Sequence, residues 1–138
     1  MQNLYTATVT VNGGREGKLA SSDGLLNLDL RMPKELGGAG GAGTNPEQLF
    51  AAGYAACFES ALNLVCRTKK VKVDGTQVTG HVTIGKDDEG GFALEVQLDV
   101  SLTGVDAALA NELAEAAHQV CPYSKATRGN IPVIIRVV

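Results

Sequence analysis

The sequence predicts an α+β fold of order β–β–β–α–β–β–α–β, and three observations carry that prediction. Apolar and polar residues alternate with period two in short segments, most cleanly over residues 92–102. A long apolar stretch opened by Asn45-Pro46 and an alanine-rich stretch opened by Asp106 carry helix-start signals. The strands fall in groups, with no run of βαβ units, which is the α+β pattern. At 138 residues the chain is expected to form one domain, residues 1–138.

Residues 4–12 alternate as a first strand, and Gly13-Gly14 marks a turn into a short second strand carrying Arg15. Leu26, Leu28 and Leu30 alternate with Asn27, Asp29 and Arg31 as a third, half-buried strand that Pro33 ends. Residues 37–43 are only glycine and alanine and read as a flexible connector. Two later strands, 76–85 and 92–102, flank the turn residues Asp87-Asp88-Glu89-Gly90-Gly91 and form an antiparallel hairpin. Asp106 caps a helix running to about Val120, and 131–138 is a terminal strand with Pro132 at its start.

The central helix starts with Asn45 as N-cap and Pro46 at the first helical position, and Gln48 is placed to complete a capping box. Thr44 is the alternative cap, which would spend Glu47 on the box. The residue before a proline avoids helical geometry, so Asn45 is favoured and Glu47 stays free for other work. The helix runs to about Lys69. Between Leu49 and Cys66 it is apolar or small almost all round, with Glu59 its only charge. Such a helix needs other structure on every side, and a domain with few strands can hardly enclose it. A dimer packed through its Ala/Gly face is therefore expected.

Hydrophobic residues are 44% and charged residues 20%, as in an ordinary globular protein. The formal net charge is −3 with both signs interspersed, so the chain lacks the electrostatic footprint of a nucleic-acid binder. The first residues, Met1-Gln2-Asn3-Leu4-Tyr5, show no charged segment followed by an apolar run. No run approaches roughly 18 consecutive apolar residues. A cytoplasmic protein without membrane association is expected. Three cysteines in such a chain read as reduced thiols, and a bond between any two would be redox-active rather than a structural staple.

Cys57 lies mid-helix, where a free cysteine packs as a small hydrophobe as readily as it reacts. Cys66 is nine positions further on, about 13.5 Å along a helix and on the opposite face. The two cannot bond without unfolding it, so Cys66 reads as a packing residue. Cys121 precedes Pro122 at a bend, where its side chain can move. Cys121-Pro122-Tyr123-Ser124 imitates a glutaredoxin-type Cys-x-x-Ser site but lacks the following βαβ domain. His118 and Cys121 have metal-ligand spacing, but His81 is the only other histidine and no ligand set is completed.

Four segments together resemble the organic hydroperoxide resistance branch of the OsmC-like superfamily. They are Gly13-Gly14-Arg15-Glu16-Gly17 with Ser22-Asp23-Gly24; Thr44-Asn45-Pro46-Glu47-Gln48 running on to Ala55-Ala56-Cys57-Phe58; Cys121 to Asn130; and the closing hydrophobic strand. The resemblance implies an OsmC-like fold of antiparallel sheets wrapped around central helices in an intertwined homodimer. It implies a cysteine-based peroxidase in which Cys57 is peroxidatic and Cys121 resolving, with Arg15 and Glu47 as active-site partners. It implies organic and fatty-acid hydroperoxides as substrates, no bound cofactor, and recycling by an external dithiol on a lipoylated protein.

The residue types suit that chemistry. Burial raises a thiol pKa, and an adjacent guanidinium reverses this. Arg15 is the candidate cation, with Glu47 to orient it through a bidentate pair. Glu47 and Cys57 are ten positions apart, about 15 Å on a straight helix. The helix is therefore expected to bend near Gly53, or Arg15 or Glu47 to act from the partner subunit. Two rival readings use the same residues, a redox sensor that changes partners on oxidation and a carrier of small apolar ligands.

Overall fold

Beta-branched residues over Val9–Asn12 (β1) pair antiparallel with Lys18–Ser21 (β2), from Val9 opposite Ser21 to Asn12 opposite Lys18. In this computed structural model, which describes residues 1–138, β2 also pairs antiparallel with Asn27–Asp29 (β3). The first strand is shorter than its alternation suggests. Leu4 and Tyr5 are 90% and 82% exposed, and a strand does not persist where nothing receives its apolar side chains. Arg15 is not on a strand either. Gly13 and Gly14 take left-handed φ of 80° and 54°, which turns Gly14–Glu16 into a single 3-10 turn ahead of β2.

Leu30 is buried and extends β3 by one bridge to Thr44. Pro33 ends this stretch as expected and precedes a 3-10 turn at Lys34–Leu36. The glycine-rich segment is tied more closely than a flexible connector requires. The Gly38 and Gly40 N–H groups donate to the Pro33 and Met32 carbonyls at 3.1 and 3.2 Å.

These elements belong to a first compact unit, residues 1–49, and the rest of the chain forms a second, residues 50–138. The long helix Pro46–Thr68 (α1) begins in the first and continues through the second. In the second unit Gly75–Lys86 (β4) and Phe92–Thr103 (β5) form the expected antiparallel hairpin, with Asp87 Oδ1 accepting the Glu89 and Gly91 N–H groups in the turn. Val133–Val137 (β6) adds to β5 in parallel, so the sheet order is β4-β5-β6 and its last pair departs from the antiparallel expectation. Ala107–Val120 (α2) is capped by Asp106, whose side chain accepts from the Leu109 N–H at 2.8 Å. A six-residue helix absent from the expected order, Pro122–Thr127 (α3), follows at once.

The alternation of β5 delivers Val96, Leu98, Val100 and Leu102 to the core, where they meet Tyr54, Phe58 and Leu62 of α1 and Leu113 and Ala117 of α2. Each buried valine, leucine or phenylalanine side chain here contributes about 1.5–3 kcal/mol. By length and composition α1 could cross a membrane, yet one face of it is spent on this core. Ala52, Ala56, Ser60 and Leu64, on another face, are exposed in the single chain. The α+β class is borne out.

Candidate active site

In the first unit, the Gly13-Gly14 turn presents Arg15 to the start of α1. Asn45 caps the helix as expected, its side chain accepting from the Gln48 N–H at 2.8 Å. The reciprocal half of the capping box does not form; Gln48 Oε1 instead accepts the Thr44 hydroxyl at 2.8 Å. Neither contact uses the Glu47 carboxylate. Arg15 Nη1 donates to Glu47 Oε2 at 2.8 Å and Nη2 to Oε1 at 2.7 Å, a bidentate pair within one chain. The two side chains are 27% and 14% exposed. The guanidinium holds the Glu47 carboxyl below its ordinary range against the opposing effect of burial. Glu47 in turn raises Arg15, so both are charged at neutral pH.

The second unit holds a pair of thiols. Cys57 is half-buried on α1, Cys121 is fully buried at the N-cap of α3, and both are free. Cys121 and the Tyr123 backbone N–H both lie close enough to Cys57 to act on its thiol. Burial pushes the Cys57 thiol up; the Tyr123 N–H opposes this, while the neighbouring Cys121 reinforces it. The balance of these effects favours the neutral form of the Cys57 thiol.

Gly53 has a use within its own chain. A Cβ there would lie 2.8 Å from the Tyr123 hydroxyl, so Gly53 makes room for this chain's own Tyr123 ring. That ring packs at 5.7 Å from Tyr54 and 6.4 Å from Phe50. Cys121 also differs from expectation. Its flanking proline suggests a mobile bend, but the side chain is 0% exposed and the following turn is anchored. Ser124, also 0% exposed, lies 2.8 Å from the Tyr54 hydroxyl and 2.7 Å from His118 Nδ1, and Tyr54 reaches Thr127 Oγ1 at 3.1 Å. Sequence reasoning missed this cluster. Its one local signal was Pro122, a first-position helix residue that places Ser124 on a helix beginning where another ends.

Cys66 is buried in the core, where burial pushes its thiol up against a smaller opposing effect of its own backbone. His118 is committed to Ser124, and His81 on the outer face of the sheet pairs with Asp99 at 3.0 Å. No group of three or more His, Cys, Asp or Glu side chains could hold a metal ion. An apolar groove lined by Leu64, Val65, Ala116 and Val120, with Thr68 and Lys69 at its edge, runs between α1 and α2. Leu64 lies two helical turns beyond Cys57, and Val120 immediately precedes Cys121.

The family model of the OsmC-like proteins matches residues 38–136. Organic hydroperoxide resistance protein OhrA of Bacillus subtilis is 55% identical over 142 aligned positions, covering 99% of this chain and 97% of that protein. An organic hydroperoxide resistance protein of Xanthomonas axonopodis pv. citri is 53% identical, covering 96% of this chain and 93% of its own length. Among solved structures, an organic hydroperoxide resistance protein of Elizabethkingia anophelis with bound thiocyanate superposes with a TM-score of 0.94. It is 53% identical, and the match covers 99% of this chain and 98% of that one.

Proposed function

The chain belongs to the OsmC-like family, among its organic hydroperoxide resistance proteins, and on that premise we propose that it is a cysteine peroxidase that reduces organic hydroperoxides in defence against oxidative stress. The observation that carries the reading is the pair of free thiols Cys57 and Cys121 in one packed cluster, close enough for Cys121 to act on the Cys57 thiol.

In the proposed cycle the Cys57 thiolate attacks the distal oxygen of ROOH. The O–O bond breaks, the sulfur becomes a sulfenic acid, and the departing alkoxide takes a proton to leave as ROH. The Cys121 thiol then condenses with the sulfenic acid, forming the Cys57–Cys121 disulfide and releasing water. An external dithiol, of which a lipoylated protein is the candidate, attacks the disulfide, restores both thiols and leaves as its own disulfide.

The thiolate needs a cation, because burial and Cys121 both favour the neutral thiol. Arg15 takes that role in the proposal, and Glu47 orients it through two short hydrogen bonds. A guanidinium so fixed can also hydrogen-bond the peroxide and stabilise the leaving alkoxide. The groove between α1 and α2 offers apolar surface suited to alkyl or acyl chains. A homodimer is part of the proposal, supported by the exposure of Ala52, Ala56 and Leu64 on a helix with almost no charge. A cytoplasmic setting fits the three reduced cysteines.

Turnover of cumene hydroperoxide with dihydrolipoamide as reductant tests the reading. The unsubstituted protein should turn over and Cys57→Ser should not; equal rates for the two would overturn it.

A further inference from the structure

The core of residues 50–138 is apolar except at one place. Tyr54 from α1, Ser124 and Thr127 from α3 and His118 from α2 bring four polar side chains together. Tyr54 and Ser124 are both 0% exposed and Thr127 5%. Burying hydroxyls is costly unless each finds a partner, and here each does. Thr127 Oγ1 donates to the Ser124 carbonyl at 3.2 Å, and Arg128 Nη2 donates to the His118 carbonyl at 2.6 Å. Burial and the Arg128 charge push the His118 pKa down, leaving a neutral ring whose Nδ1 can accept from Ser124 while Tyr54 donates to the same hydroxyl.

What the cluster holds is the short segment that addresses Cys57. Cys121 precedes Ser124 by three residues and Tyr123 by two, and both the Cys121 thiol and the Tyr123 N–H act on the Cys57 sulfur. A six-residue helix after a proline has little stability of its own. The hydroxyl of Ser124 ties it to α1 through Tyr54 and to α2 through His118, fastening it to both walls of the thiol site.

We propose that Tyr54, Ser124 and His118 are positioning residues that clamp the Cys121–Tyr123 segment, so that Cys121 captures the oxidised Cys57 sulfur without backbone rearrangement. The inference rests on the peroxidase reading above and adds to it three residues whose side-chain hydrogen bonds go to one another and to Thr127, not to a sulfur. The clamp also sets how often the sulfenic acid escapes. A slower condensation leaves it exposed to a second hydroperoxide, which oxidises it to the sulfinic acid and releases another alcohol.

Single-turnover kinetics of Ser124→Ala and Tyr54→Phe test this, with Cys57 oxidation and disulfide formation followed separately across pH. In Ser124→Ala, disulfide formation should slow about tenfold, as expected for loss of two buried hydrogen bonds. The pH midpoint of Cys57 oxidation should move upward as the Tyr123 N–H is displaced, and sulfinic acid should accumulate at lower hydroperoxide concentration. Tyr54→Phe should do the same to a smaller degree, and it decides the matter if Ser124→Ala fails to fold. A folded but less stable variant with unchanged disulfide rate and pH midpoint overturns the inference. If the unsubstituted protein forms no Cys57–Cys121 disulfide, the peroxidase reading itself fails, and the inference with it.

Discussion

Replacing Glu47 with glutamine isolates what the Arg15–Glu47 pair contributes. The substitution keeps size and shape but removes the charge that answers the guanidinium. Exposed ion pairs contribute about 0.2–1 kcal/mol and hydrogen bonds to charged groups about 1.5–3 kcal/mol. With bonds of 2.7 and 2.8 Å and side chains 14% and 27% exposed, this pair falls between those classes. A glutamine retains one acceptor, so the loss should be about 1 kcal/mol, or about 4 °C in Tm for a chain this size. The pH dependence gives the sharper test. Glu47 is depressed in the folded protein, so its stabilisation is fully present above the unfolded carboxyl pKa of about 4.3 and is lost as pH falls through the lower folded value. Arg15 is raised, so its contribution is constant at every pH below the guanidinium range. Melting curves of both proteins should therefore run parallel from neutral pH down to about pH 5.5 and converge below about pH 4. Peroxide reduction by Glu47→Gln at pH 7 should fall about 10- to 100-fold, less than the roughly 100- to 1000-fold for removing such a donor outright, because Arg15 stays but loses its orientation. A Tm gap at pH 3 as wide as at pH 7, or undiminished turnover, would refute the reasoning.

Three further outcomes follow from the same structure. Cys66→Ala should lower stability by about 1–2 kcal/mol through the small cavity it leaves, while hydroperoxide turnover stays unchanged; melts and the cumene hydroperoxide assay check both halves. Asp99, held down to about 2 chiefly by Arg136, with hydrogen bonds from Gln97 and His81, should stabilise the β5–β6 pairing above its ordinary pKa. That help should disappear as pH falls towards 2, and amide exchange in Val133–Val137 should be faster in Asp99→Asn than in the parent at pH 6 but not near pH 2. Gly53→Ala gains about 1 kcal/mol of helix propensity but pushes on the Tyr123 ring, so disulfide formation should slow even if the melting temperature hardly changes.

Local chemistry made much of the fold readable. Asn45-Pro46 and Asp106 mark helix starts because an N-cap side chain and the residue it bonds lie only three positions apart. The alternation of β5 marks its buried face because a pleat repeats every two residues. Long-range effects hid the rest. Alternation over residues 4–8 could not reveal that Leu4 and Tyr5 meet nothing. The parallel direction of β6 leaves no trace in its own hydrophobic pattern. Pro122 marks a bend in the sequence, though it also starts α3. The candidate functional residues divide the same way. Cys57, Cys121, Arg15 and Glu47 were legible through motif resemblance, whereas the bond from Tyr54 to Ser124 spans 70 positions and belongs to no local pattern.

The central claim is that a sulfur on α1 is oxidised first and then captured by the buried sulfur at the start of α3. Reduced protein treated with one equivalent of cumene hydroperoxide and digested without reductant reads this directly by mass. The account predicts loss of the two thiol hydrogens, located to a bond between Cys57 and Cys121, with Cys66 still free. Oxygen added at Cys66 alone, or a Cys57 that stays oxidised without ever joining Cys121, would contradict it.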